Sequence, residues 1–146
     1  MPTTPKHTVT HVPTEAAEQI ALLRWWRESE APRLHLDPRL LWHIPNQGTV
    51  RGHQRGAILQ AMGLVAGVPD LFLAVPGDES HGLFVELKRA SKSVSRLSPA
   101  QKELHALLIE QGFAVAICYG ADAAENAISD YLTDGVLFEN NGYSTP

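Results

Sequence analysis

Apolar residues along the chain switch repeatedly between a helical and a strand period, and the switches mark out its elements. Thr14 can cap a helix over roughly 15–28, where Ala16, Ile20, Leu23 and Trp26 form a stripe with Leu22 and Trp25 beside it. Glu-Ser-Glu-Ala-Pro (28–32) is expected to end that helix. Leu40–Ile44 reads as a short strand, and Pro45-Asn46-Gln47-Gly48 as a turn. A second helix is expected over 51–62, weakened by Gly52 and Gly56 and broken by Gly63 and Gly67. Asp70–Val75 and Leu83–Lys88 read as strands, joined by a polar loop at 76–82 that suits an antiparallel pair. Ser98-Pro99-Ala100-Gln101 is a capping box with proline at the first helical position. Leu104, Leu107 and Leu108 follow at helical spacing, and Gly112 supplies the left-handed stop. Phe113–Tyr119 has the continuous apolar character of a buried strand. A last helix is expected over 123–132 with Asp122 as its cap, and the tail from Thr133 reads as irregular.

The order is therefore α-β-α-β-β-α-β-α. It predicts a mixed α/β domain with a central sheet flanked by helices. At 146 residues the chain is most simply one domain, with a core large enough to need no metal or disulfide. Residues 1–13 read as a flexible arm, 14–132 as the domain and 133–146 as the tail. The single cysteine, Cys118, excludes an internal disulfide and reads as a core residue. No apolar stretch reaches membrane-spanning length and the N-terminus lacks the apolar core of a signal peptide, so a cytoplasmic location is expected.

Charge changes the picture more than composition does. The net charge is −4, but all twelve Lys and Arg lie within residues 1–102 against nine acids, a net of +3. Residues 103–146 hold seven acids and no Lys or Arg. Lys88, Arg89, Lys92, Arg96 and Lys102 follow one another with no acid between them. Such a stretch is either a face for a polyanion or a solvated loop.

Three charges stand inside strand-forming text: Asp70, Glu86 and Lys88. Alternate strand residues share a face, so Glu86 and Lys88 point the same way while Val85 and Leu87 enter the core. If the two strands pair, Asp70 lies beside Glu86. Two carboxylates that close repel unless a cation separates them. Mg²⁺ or Mn²⁺ suits oxygen ligands, with the Leu87 carbonyl as a third protein ligand. Such an ion would polarise a phosphate, and Lys88 would orient the attacking water. A cross-sheet ion pair, worth about 0–1 kcal/mol, explains the same spacing without chemistry.

The surrounding text carries more information. Ala66-Gly67-Val68-Pro69-Asp70-Leu71-Phe72-Leu73 and Gly82-Leu83-Phe84-Val85-Glu86-Leu87-Lys88-Arg89 come first. Leu97-Ser98-Pro99-Ala100-Gln101, Gln111-Gly112-Phe113-Ala114-Val115 and Ile128-Ser129-Asp130-Tyr131-Leu132 follow in order. Together these blocks resemble the VRR-NUC family, a branch of the PD-(D/E)XK nuclease superfamily, over roughly residues 14–132. The resemblance implies a restriction-endonuclease-like core of order α-β-β-β-α-β, here with an inserted helix and a C-terminal helix. It implies catalytic roles for Asp70, Glu86 and Lys88. An acid on the first helix, Glu15 or Glu18, is expected to contribute, and Gln101 falls on a recurrent family position. Asn46-Gln47-Gly48 nearly matches a family turn followed by basic residues, here Arg51 and Arg55, which are expected to meet DNA phosphates with Arg89, Lys92 and Arg96.

The implied activity is a Mg²⁺- or Mn²⁺-dependent DNA endonuclease resembling Holliday-junction resolvases, hence a homodimer acting in DNA repair or recombination; a phage origin suits so compact a protein. Trp25, Trp26, Leu40 and Leu41 are candidates for the dimer interface. The alternatives are a less selective duplex or flap nuclease, a non-catalytic DNA-binding module of the same fold, and an unrelated α/β interaction domain. The seven histidines have no cysteine partner, which speaks against zinc; they read mainly as surface or loop residues.

Overall fold

The computed structural model describes residues 12–45, 53–91, 96–134 and 143–144. Helix α1 (Glu15–Trp25) begins as expected, with the Thr14 hydroxyl accepting the Ala17 N–H at 3.2 Å. It does not stop at 28–32. It continues through a π-helical turn (Trp26–Glu30) into a last short turn, α2 (Ala31–Arg33). Proline lacks an N–H, and its ring meets the i−4 carbonyl of a regular α-helix. The widened turn, in which Ala31 N–H reaches the Trp26 carbonyl, accommodates Pro32 without ending the helix. The far end is fastened sideways. Buried Glu30 takes two hydrogen bonds from Arg33, at 2.9 and 2.7 Å, and one from the Ser129 hydroxyl at 3.0 Å.

The sheet has the order β1-β2-β3-β4-β5. Its strands are β1 (Leu41–His43), β2 (Leu71–Leu73), β3 (Leu83–Lys88), β4 (Ala114–Tyr119) and a two-residue β5 (Tyr143–Ser144). The first three form an antiparallel run, β3 and β4 are parallel, and β5 pairs antiparallel with Val115 and Ala116. The tail is thus not wholly irregular: β5 lies in it, and the last helix runs to Asp134. Helix α3 (His53–Ala61) stands between β1 and β2, α4 (Pro99–Glu110) between β3 and β4, and α5 (Ala121–Asp134) after β4. The strands of 40–44 and 70–75 are shorter than expected, and Asp70 lies just before β2 rather than in it.

Strand alternation sorts the two faces. Leu71, Leu73, Leu83, Val85, Leu87, Ala116 and Cys118 point into a core shared with Leu22 and Trp26 of the first helical stretch and Ala124 and Ile128 of α5. The Trp26 indole N–H is satisfied by the Pro38 carbonyl at 2.8 Å. Trp26 and Leu41 are therefore core residues and cannot form a dimer interface. The other face carries Phe72 and Phe84, whose rings lie 4.5 Å apart, and then Glu86 and Lys88 under α4.

Gly67 sets the distance between the strand pair and α4. Its φ is +90°, and a Cβ there would collide with the Ala100 main chain in the first turn of α4. A Gly67→Ala change is expected to destabilise the domain by about 2 kcal/mol or more, read from urea unfolding. An unchanged midpoint would show that the close approach is not needed.

Candidate active site

Asp70, Glu86 and Lys88 come together through strand register. Leu71 pairs with Val85, so the next position outward sets Asp70 opposite Glu86. Asp70 is tied down by the Leu87 N–H, which donates to Oδ2 at 2.8 Å. Glu86 is almost fully buried, and its Oε1 accepts from Lys88 Nζ at 2.8 Å and from the Gln101 side-chain amide. Burial pushes the Asp70 carboxyl up to about 6, and the Glu86 charge adds to this. The Leu87 hydrogen bond and Lys88 oppose the rise, and Glu15 adds a smaller push upward. The strand pair thus sets the Asp70 carboxyl, itself reluctant to be charged, beside a buried carboxylate.

Gln101 does both things the sequence allowed. Its Oε1 accepts the Ser98 N–H at 2.9 Å, closing the capping box, while its Nε2 donates to Glu86. One side chain therefore fixes the start of α4 and the rotamer of a buried carboxylate.

The first-helix acids separate. Glu15 is exposed and lines a cleft of about 340 Å³ with Gln19, His43, Asp70 and Leu87. Glu18 is buried, and its Oε2 accepts the Ala121 N–H at 2.8 Å. It caps α5 from another helix. The helix begins at Ala121, so Asp122 sits inside its first turn and is not the cap. The electropositive N-terminus of α5 takes a carboxylate from α1 because Gly120, with φ +90°, turns the chain so that the Ala121 N–H faces Glu18.

Two histidines that the sequence did not single out stand at the site. His43 Nδ1 lies 3.0 Å from the Asp70 carbonyl; a carbonyl only accepts, so Nδ1 carries the proton. His105 is buried, not on the surface, with Nε2 3.8 Å from Glu86 Oε2. It stands four residues after Gln101 on the same face of α4, and that spacing is the signal that would have revealed it.

The basic residues are less gathered. Arg89 turns its guanidinium to the carbonyls of Pro13 and Val12, at 3.3 and 3.2 Å. Arg96 is exposed. Asn46, Arg51, Lys92 and the side chain of Arg55 lie outside the described residues.

Among the described residues, no three His, Cys, Asp or Glu side chains converge on one point as a metal cage. A cation here would be held by the Asp70 and Glu86 carboxylates and a main-chain carbonyl, with solvent completing the shell. Also among the described residues, no helix is long and apolar enough to cross a membrane.

No curated protein matches the chain. A solved structure described as a VRR_NUC domain protein superposes with a TM-score of 0.71, covering 90% of this chain and 98% of that one at 23% identity. At that identity the likeness shows the fold. The family model of the VRR-NUC domain matches residues 14–122, from the Thr14 cap through the Asp70, Glu86 and Lys88 cluster to the first turn of α5. On that match the chain belongs to the VRR-NUC family of nuclease domains.

Proposed function

We propose that this nuclease domain is a Mg²⁺- or Mn²⁺-dependent DNA endonuclease, selective for branched DNA and acting as a homodimer. The observation that carries the metal dependence is the buried acid pair. Asp70, just before β2, stands opposite Glu86 of β3, burial and the Glu86 charge raise the Asp70 carboxyl to about 6, and among the described residues nothing donates a hydrogen bond to the buried Glu86 Oε2. A divalent cation relieves both conditions at once, so the residues present fit such an ion. Asp70, Glu86 and the Leu87 carbonyl would hold it.

When bound, the ion would supply Lewis-acid polarisation of the scissile phosphate and acidify a water. The chain's own groups do the rest. Lys88 Nζ, held by Glu86 at 2.8 Å and within 3.5 Å of Gln101 Oε1, keeps a point charge beside the acid pair. That ammonium orients the attacking water and steadies negative charge as the phosphate becomes five-coordinate. Gln101 keeps Glu86 from swinging into solvent. Glu15 and Gln19 line the cleft of about 340 Å³ that reaches Asp70.

The proposal is tested by incubating the protein with four-way junction, flap and linear duplex DNA, with Mg²⁺, Mn²⁺ or EDTA, beside Lys88→Ala. Cleavage is expected with either ion, lost in EDTA, and reduced at least about 100-fold in Lys88→Ala. Cleavage that survives EDTA or the substitution overturns the mechanism. Paired nicks confined to the junction support the resolvase reading, whereas equal cutting of all substrates supports the less selective nuclease. Binding without cleavage under every metal would make the domain a DNA-binding module. Sedimentation of the free protein checks the dimer.

A further inference from the structure

We infer that His105 is a positioning residue for Glu86: its Nε2–H holds Oε2 so that the remaining lone pair of that oxygen meets the divalent ion. This rests on the metal-dependent reading above and extends it to a residue outside the Asp70, Glu86 and Lys88 trio.

A carboxylate offers about four lone-pair sites, two on each oxygen. On Glu86, Oε1 already accepts from Lys88 Nζ and from Gln101 Nε2, which fills it. Among the described residues nothing donates to Oε2, although it is buried. A cation reaching Glu86 therefore meets Oε2. Beside that oxygen stands a second buried group: among the described residues neither ring nitrogen of His105 has a hydrogen-bond partner, and Nε2 lies 3.8 Å from Oε2. That gap is longer than a hydrogen bond and too short to admit a bridging water. Closing it by about 1 Å pairs Nε2 with Oε2.

Helix geometry makes the approach natural. Gln101 and His105 are i and i+4 on α4, so both project toward the same strand position. They bracket the carboxylate, one at each oxygen. Ligating carboxylates are commonly held by such a neighbour, and losing it weakens metal binding about 10–100-fold.

The test is Mn²⁺ binding to the full chain, followed by the loss of the free-ion paramagnetic resonance signal in the absence of DNA. Wild type is compared with His105→Phe, which fills the space without a donor, and His105→Gln, which restores an N–H. His105→Phe is expected to raise the Kd about 10–100-fold. His105→Gln is expected to recover most of that loss. Equal affinity for wild type and His105→Phe overturns the inference and leaves the metal site standing. So does His105→Gln binding as weakly as His105→Phe. A wild type that binds no Mn²⁺ overturns both. Because phenylalanine alters packing, imidazole ¹⁵N spectra of the unmodified protein give an independent reading. An Nε2-protonated ring supports the contact with Glu86, and an Nδ1-protonated ring with a bare Nε2 overturns it.

Discussion

Replacing Asp70 with asparagine is expected to abolish cleavage while making the metal-free protein more stable at pH 7. The Asp70 carboxyl is raised from 3.8 to about 6, first by burial and then by Glu86. For an acid whose folded pKa lies above its unfolded value, ionisation opposes folding. Its contribution to stability is intact below pH 3.8, falls as the pH climbs toward 6, and is a full penalty above that. Asparagine keeps an oxygen to accept the Leu87 N–H but carries no charge. After allowance for solvent screening, the relief is about 1–2 kcal/mol at pH 7. That corresponds to a rise of roughly 3–6 °C in Tm. The gain should vanish below pH 4, where aspartate in the wild type is protonated. In the same melts, Mn²⁺ should stabilise the wild type and leave Asp70→Asn unmoved. An Asp70→Asn protein that melts lower than wild type at pH 7, or that still responds to Mn²⁺, contradicts the assignment of this carboxylate as a ligand.

The second large effect divides the two acids of α1. Glu18→Ala is expected to destabilise the domain by about 2–3 kcal/mol, because the buried Ala121 N–H loses the carboxylate that accepts it. Roughly 5–10 °C of Tm should go with it. Glu15→Gln should leave the melting curve within about 0.5 kcal/mol of wild type, since Glu15 is exposed. Its effect should fall on cleavage, because it borders the cleft that leads to Asp70. The paired measurement is thermal unfolding beside single-turnover cleavage. Stability loss in Glu15→Gln with none in Glu18→Ala would reverse the roles.

These two residues also mark how far the sequence can be read. Both are first-turn acids, three positions apart, and first-turn acids suit any helix dipole. The letters do not say that a helix 103 residues further on starts beside one of them. Asp122 was the reasonable local cap for α5, and a remote carboxylate displaced it. Gln101 shows the opposite outcome. Its local role in the capping box was legible because it depends on residues three apart, and its contact with Glu86 adds to that role instead of replacing it. Pro32 misled because proline usually ends a helix, and the π turn absorbed it by widening. Trp26 and Leu41 read equally well as interface or core, and only packing against β2 and α5 could choose. His105 was legible only through its place four residues after Gln101, since a lone histidine on a helix fits either surface or interior.

What the sequence determined by itself is local or periodic. It sets the run of strands and helices, both bounds of β3, the Ser98 capping box, the left-handed Gly112, and the shared face of Glu86 and Lys88. Each follows from backbone preferences within a few residues or from the two-residue repeat of a strand. What only the tertiary structure decided is which groups meet across the sheet and between helices. It set Asp70 against Glu86, carried Glu18 away to α5, left Glu15 at the cleft, and brought His105 to an open carboxylate oxygen. Those contacts depend on register and helix docking, which are fixed by burial of the whole core, and no short stretch of the chain contains that information.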